Sequence, residues 1–161
     1  MRKGLFHVAL GLLVFLAGAE GAQQAPSLDY EVFKTQVQPI FLKKRPGHAR
    51  CYACHALGAG EGGPTGVLRL QVLSPGATTW DEEQSRKNFE AILAKVVPGN
   101  LKASRLLIHP LRYESGGDQW HGGGGQFSSA NDPDWQILAA WVLGKPVSAS
   151  PPTSASAGAG R

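Results

Sequence analysis

Cys51, Cys54 and His55 are the residues of this chain best equipped for chemistry, because they stand together as Cys51-Tyr52-Ala53-Cys54-His55. Two thiols at this spacing can each bond one vinyl group of the same porphyrin. The adjoining imidazole then falls beneath the metal. The pattern implies one covalently attached haem, with Cys51 and Cys54 as its thioether attachments and His55 as the proximal iron ligand. Two other chemistries use paired cysteines. A structural zinc site needs further thiols or well-spaced histidines, and the chain has only 2 Cys in all. A redox dithiol normally follows a strand in a βαβ pattern, which the sequence does not display; it stays as the alternative.

Helices must hold this motif. Residues 27–44 carry Tyr30, Phe33, Val37, Ile40 and Phe41 at helical spacing. Ser27 is the expected N-cap, Asp29 and Glu31 suit the positive end, and Pro39 predicts a kink or break. Residues 81–97 predict a second helix, capped by Thr79 or Asp81, with Phe89, Ile92, Leu93, Val96 and Val97 as its buried face. Ser104 is expected to cap a short turn that ends at His109-Pro110. Asp132, Pro133 and Asp134 announce the last helix, whose apolar face is Trp135, Leu138, Trp141 and Val142, with Gly144 as its stop. Between the helices, residues 67–73 read as a brief strand or an extended segment. Residues 111–131 are too rich in glycine for a regular element, yet Trp120, His121 and Phe127 are poor choices for a solvated linker. His48 reads as a surface histidine.

The ends of the chain have different roles. Arg2 and Lys3, the apolar run from Leu5 to Leu16 and Ala17-Gly18-Ala19 form a secretory signal pattern. The signal is residues 1–19, with cleavage possible up to 25. Its core is short of the roughly 20 apolar residues of a membrane span, so no stable span is expected after cleavage, with an uncleaved anchor as the alternative, and the expected location is periplasmic or otherwise exported. Residues 145–161 are mostly Pro, Ser, Ala and Gly, with a terminal arginine, and predict disorder. One domain of residues 27–144 remains. A net charge of +4 falls by two without Arg2 and Lys3, and scattered charges argue against a nucleic-acid footprint. With 21 Gly and 11 Pro the whole chain is loop-rich and its core small; a covalent apolar plate would enlarge that core.

In its layout the sequence resembles single-haem cytochrome c domains, and more narrowly the planctomycete-type cytochrome c modules. The matching stretches are Val37-Gln38-Pro39-Ile40, Val97-Pro98-Gly99-Asn100, Ser104-Arg105-Leu106-Leu107 and Trp135 to Gly144, in that order around the haem motif. The resemblance spans residues 28–144. It implies an all-α fold in which an N-terminal helix crosses a C-terminal one, with long glycine-rich loops around the haem. Relatives offer a methionine ahead of the last helix as distal iron ligand, whereas Met1 is the only methionine here. The comparable position falls at or near His121, the first distal candidate. His109 is the second, followed by an open or water-bound iron and then a lysine. Bis-histidine ligation implies a lower reduction potential than His/Met. Trp120 and Phe127 are then expected to wall the distal side.

Two functions compete. A six-coordinate iron with two protein ligands suits single-electron transfer between a redox donor and an acceptor, without catalysis of its own. An open or labile sixth position would suit a haem sensor or enzyme, although the sequence offers no evident distal acid–base pair. A structural or adhesive exported module would leave the haem motif without a purpose.

Overall fold

The computed structural model describes residues 26–57 and 68–147. The signal at 1–19, the glycine run 58–66 and the tail beyond 147 lie outside the described residues. Among the described residues there are helices and isolated β-bridges but no strand.

Helix α1, residues 30–42, changes register along its length. It is α-helical at Tyr30–Val32, π-helical at Phe33–Val37 and α-helical again at Gln38–Leu42. Asp29, not Ser27, is its cap, accepting the Val32 amide at 2.8 Å. Pro39 neither ends nor breaks the helix. A proline inside a helix clashes with the carbonyl four residues earlier, and the wider π turn just before it, where the Gln38 amide reaches Phe33 O, accommodates that defect.

Helix α2, Glu82–Leu93, opens on a complete capping box between Asp81 and Gln84. It stops sooner than the apolar spacing predicts. Leu93 and Val97 are exposed, Phe89 is half-buried, and only Ile92 and Val96 of the expected face are buried. Buried Ser85 and Asn88 take their place because this face meets polar partners: Gln38 Nε2 donates to Ser85 Oγ at 3.0 Å, and Asn88 Oδ1 accepts the Gln71 amide at 2.7 Å.

Helix α3, Arg105–Ile108, is a single turn. Ser104 precedes it without capping it; its hydroxyl donates to Asn100 O and accepts the Val97 amide, closing the Pro98-Gly99 turn instead. Helix α4, Pro133–Val142, begins as its residues announce, with Asp132 accepting the amides of Asp134 and Trp135. Trp135, Leu138, Trp141 and Val142 are all buried. Gly144 then turns away at φ +64°. The chain stays packed past this point, since Lys145 N donates to Ala140 O and Val147 rests on the core; the predicted disorder does not begin at 145.

The first and last helices are packed together. Phe33 and Trp141 lie 5.6 Å apart between ring centres, Phe89 meets both, and Trp141 Nε1 donates to Asp29 O at 2.8 Å. Burying such aromatics supplies much of the apolar drive of a small core. Lys43 and Arg45, at the end of α1, both bind Asp134 at the start of α4. That clamp fixes the direction in which the chain enters the cysteine motif.

Candidate haem site

Tyr52, inside the motif, anchors it. Its ring is buried and meets Trp80 edge-on at 5.8 Å, and its hydroxyl accepts the Leu73 amide at 3.0 Å. Residues 53–57 form a π-helical turn, Ala53–Leu57. An extended strap, residues 68–73, then lies between the motif and α2. It is held through Leu70 N to His55 O, Gln71 N to Asn88, Gln71 O to Trp80 Nε1 and Val72 O to Gln84. Sequence reading left this segment open between strand and extended chain; the His55 carbonyl and the side chains of Tyr52, Trp80, Gln84 and Asn88, rather than a neighbouring strand, satisfy its backbone.

The strap positions His55. The Nδ1 of His55 is 2.9 Å from Leu68 O, so Nδ1 carries the proton and Nε2 is left with its lone pair. This is the arrangement by which proteins orient a metal-binding imidazole and raise its basicity.

The loop after α3 brings His121 to the same place. Ring centres of His55 and His121 are 6.2 Å apart and their planes 19° from parallel. His121 Nδ1 donates to Gly124 O at 2.6 Å while Gly124 N donates to His121 O at 2.8 Å. Gly124 has φ +72°, a conformation glycine adopts without strain. Burial, ahead of the nearby His109 and His55, holds the His121 pKa below the ordinary imidazole range despite the Gly124 hydrogen bond. Its neutral, ligating form is thereby favoured.

His109 stands beside His121, with ring centres 5.0 Å apart and planes at 80°. Its Nδ1 lies 2.8 and 2.7 Å from the two carboxylate oxygens of Asp118. The structure thus joins an imidazole to a carboxylate beside His121, a pairing not evident in the sequence. Trp120 does not wall that side as expected. It is 82% exposed, because its amide turns in to bind Asp118 while its ring points to solvent. Phe127 is buried, under the guanidinium of Arg45 at 4.6 Å. His48 is partly buried and lines a second cavity with Lys43, Lys44, Arg45 and Arg112.

Cys51 is half-buried and Cys54 exposed, and neither is in a disulfide. Burial pushes the Cys51 thiol up, only partly opposed by the Arg45 charge. A dithiol enzyme needs the opposite, a thiol with its pKa lowered. Among the described residues no cluster of three or more His, Cys, Asp or Glu is arranged to hold a bare metal ion, which a zinc site would require. A haem iron takes four ligands from the porphyrin and asks the protein for two at most. An imidazole nitrogen sits about 2 Å from the metal it binds and about 1 Å from its own ring centre, so imidazoles opposed across one metal place their ring centres about 6 Å apart. The His55–His121 separation fits that requirement.

Sequence reading found the two thiols and the histidines. It missed Leu68 O, Gly124 O, the strap's anchors Asn88 and Gln84, and the Arg45–Asp134 clamp. A charged Asp118 inside a glycine-rich stretch was the one visible signal of the His109 pairing. Comparison with protein-family models, with curated proteins and with solved structures gave no match.

Proposed function

We propose that this protein is an exported single-haem c-type cytochrome domain, residues 27–144, that passes single electrons between a donor and an acceptor protein. Cys51 and Cys54 hold the porphyrin through thioethers, His55 is the proximal iron ligand and His121 the distal one. The observation that carries this reading is the His55–His121 pair: imidazoles 6.2 Å apart, each fixed through Nδ1 by a backbone carbonyl, one of them inside the Cys-x-x-Cys-His motif. The packing of the first helix on the last supports the cytochrome c-like layout. No helix among the described residues is long and apolar enough to cross a membrane.

When bound, the haem supplies the one-electron chemistry. The residues of this chain do the rest. Leu68 and Gly124 aim the two imidazoles through their carbonyls. With His55 and His121 both holding the iron, no position would remain for a substrate, and little would rearrange when the charge changes. Tyr52, Trp80 and the strap keep the motif against the core.

The test is expression with haem-maturation machinery, followed by mass and spectrum. The expected result is a mass higher by one haem, a low-spin six-coordinate spectrum in both oxidation states and slow carbon monoxide binding. A colourless chain of bare polypeptide mass would reject the haem assignment. A high-spin ferrous spectrum with fast carbon monoxide binding would instead favour a sensor or enzyme with an open sixth position.

A further inference from the structure

His121 neighbours both His55 and His109, with ring centres 6.2 and 5.0 Å away, and each of the three rings is held through the same nitrogen. The nitrogen engaged is Nδ1 in every case: by Leu68 O at 2.9 Å, by Gly124 O at 2.6 Å and by the Asp118 carboxylate at 2.7 Å. No described residue hydrogen-bonds any of the three Nε2 atoms. A site with one proximal and one distal ligand needs only two such rings. The third, His109, has the strongest partner, because a carboxylate holds and polarises an imidazole more than a carbonyl does.

The two distal rings rest on supports of unequal stiffness. His121 is carried by a turn of exposed glycines, Gly122 to Gly124, closed by its own backbone and tied to the rest of the domain through one side chain, Gln126 Nε2, which donates to Gly123 O at 3.1 Å. It also lines a cavity of about 430 Å³, shared with Asp118, Gly124 and Gly125, which gives it room to withdraw. His109 closes α3 through its amide to Arg105 O. Its partner Asp118 is tied by its own amide to Ile108 O at 3.0 Å and by Oδ1 to the Trp120 amide; Arg105 Nη2 lies 3.8 Å from the carboxylate and 3.2 Å from His109 Nδ1, farther from that nitrogen than the carboxylate oxygens that take its proton. His121 can therefore move without undoing the His109–Asp118 pair.

We infer that His109 is a second distal ligand, positioned by Asp118 to take the sixth coordination position whenever His121 leaves it. This rests on the bis-imidazole reading above. The exchange breaks one iron–nitrogen bond and forms another of the same kind. No electron moves, and Nδ1 of His109 keeps its proton toward Asp118. A distal side built this way protects the metal from outside ligands during motions of the glycine turn.

The experiment uses the matured haem protein and its His109→Ala, His121→Ala and double variants, read by spin state and carbon monoxide association. His109→Ala is expected to stay low-spin. His121→Ala is expected to stay six-coordinate and low-spin, and the double variant to become high-spin with fast carbon monoxide binding. Adding Asp118→Asn to His121→Ala should cause partial loss of the low-spin form. A His121→Ala protein as high-spin as the double variant overturns the inference while leaving His121 as distal ligand. A high-spin His109→Ala protein overturns both it and the His121 assignment. Carbon monoxide association in the wild type against His109→Ala needs no change at His121: recapture by His109 makes the wild type slower, and equal rates overturn the inference.

Discussion

Gly117 lies against Leu111 so closely that a Cβ on it would stand 1.8 Å from the Leu111 carbonyl oxygen and 2.9 Å from that of Ile108. The contact is backbone on backbone, so no side chain can turn aside to relieve it. It presses the segment carrying Asp118 and His121 onto the end of α3, where His109 sits. The placing of His121 beside His109 thus depends on a missing methyl group.

Gly117→Ala is expected to destabilise the domain by about 1–3 kcal/mol, the usual cost of overpacking, and to raise the high-spin fraction of the haem protein. Gly116→Ala is the control. Its φ of +94° makes any side chain strained, but open space surrounds it, so the expected cost is about 1–2 kcal/mol of backbone strain with an unchanged spin state. Urea unfolding and the visible spectrum of both variants check this.

Arg45 and Asp134 form a buried ion pair that Lys43 also joins from a more exposed position. Removing either charge strands the other, though not equally. Asp134→Asn leaves the buried Arg45 guanidinium without a counter-charge, beside a neutral amide and the Phe127 face, and should cost about 3–5 kcal/mol. Arg45→Met leaves Asp134 its Lys43 partner and should cost less. Equal unfolding free energies for the two variants would show that Lys43 does not compensate.

Asp81 caps α2 through both halves of a capping box. Asp81→Ala should lower stability by about 1 kcal/mol, whereas Thr79→Ala, in an exposed bend outside the helix, should leave the unfolding midpoint unchanged. Helix α2 braces the strap that holds His55, so the spectrum of Asp81→Ala is expected to change only as the domain unfolds.

Glu82 ties α2 to α1, receiving hydrogen bonds from Lys34 and from Tyr30 Oη at 3.1 Å. The Lys34 hydrogen bond is the main cause that holds its carboxyl below the ordinary 4.5. The unfolded chain then binds more protons just below that pH, so the stabilisation is present above about pH 4.5 and disappears as pH falls through the lower folded value. Glu82→Gln should be less stable than wild type at neutral pH, with the gap closing on acidification and shrinking in high salt because the pair is exposed. A gap that widens toward acid would contradict this sign.

Local chemistry was readable from the residues in sequence. Cys51, Cys54 and His55 are contiguous, so their chemical potential needs no fold. Asp132-Pro133 starts α4 because a cap and a fixed φ act over two or three residues, and the Trp135–Val142 face is buried because its spacing matches the helix. Tertiary structure decided what touches what. Phe89 and Leu93 lost their expected places to Ser85 and Asn88 because α2 packs on a strap whose backbone needs hydrogen-bond partners. Pro39 was absorbed by a π turn that apolar spacing does not encode. Above all, the groups aiming His55 and His121 are the carbonyls of Leu68 and Gly124. Every residue carries a carbonyl, so nothing in the letters marks these two, and only the folded path of the chain brings them to an imidazole and sets one ring 6.2 Å from the other.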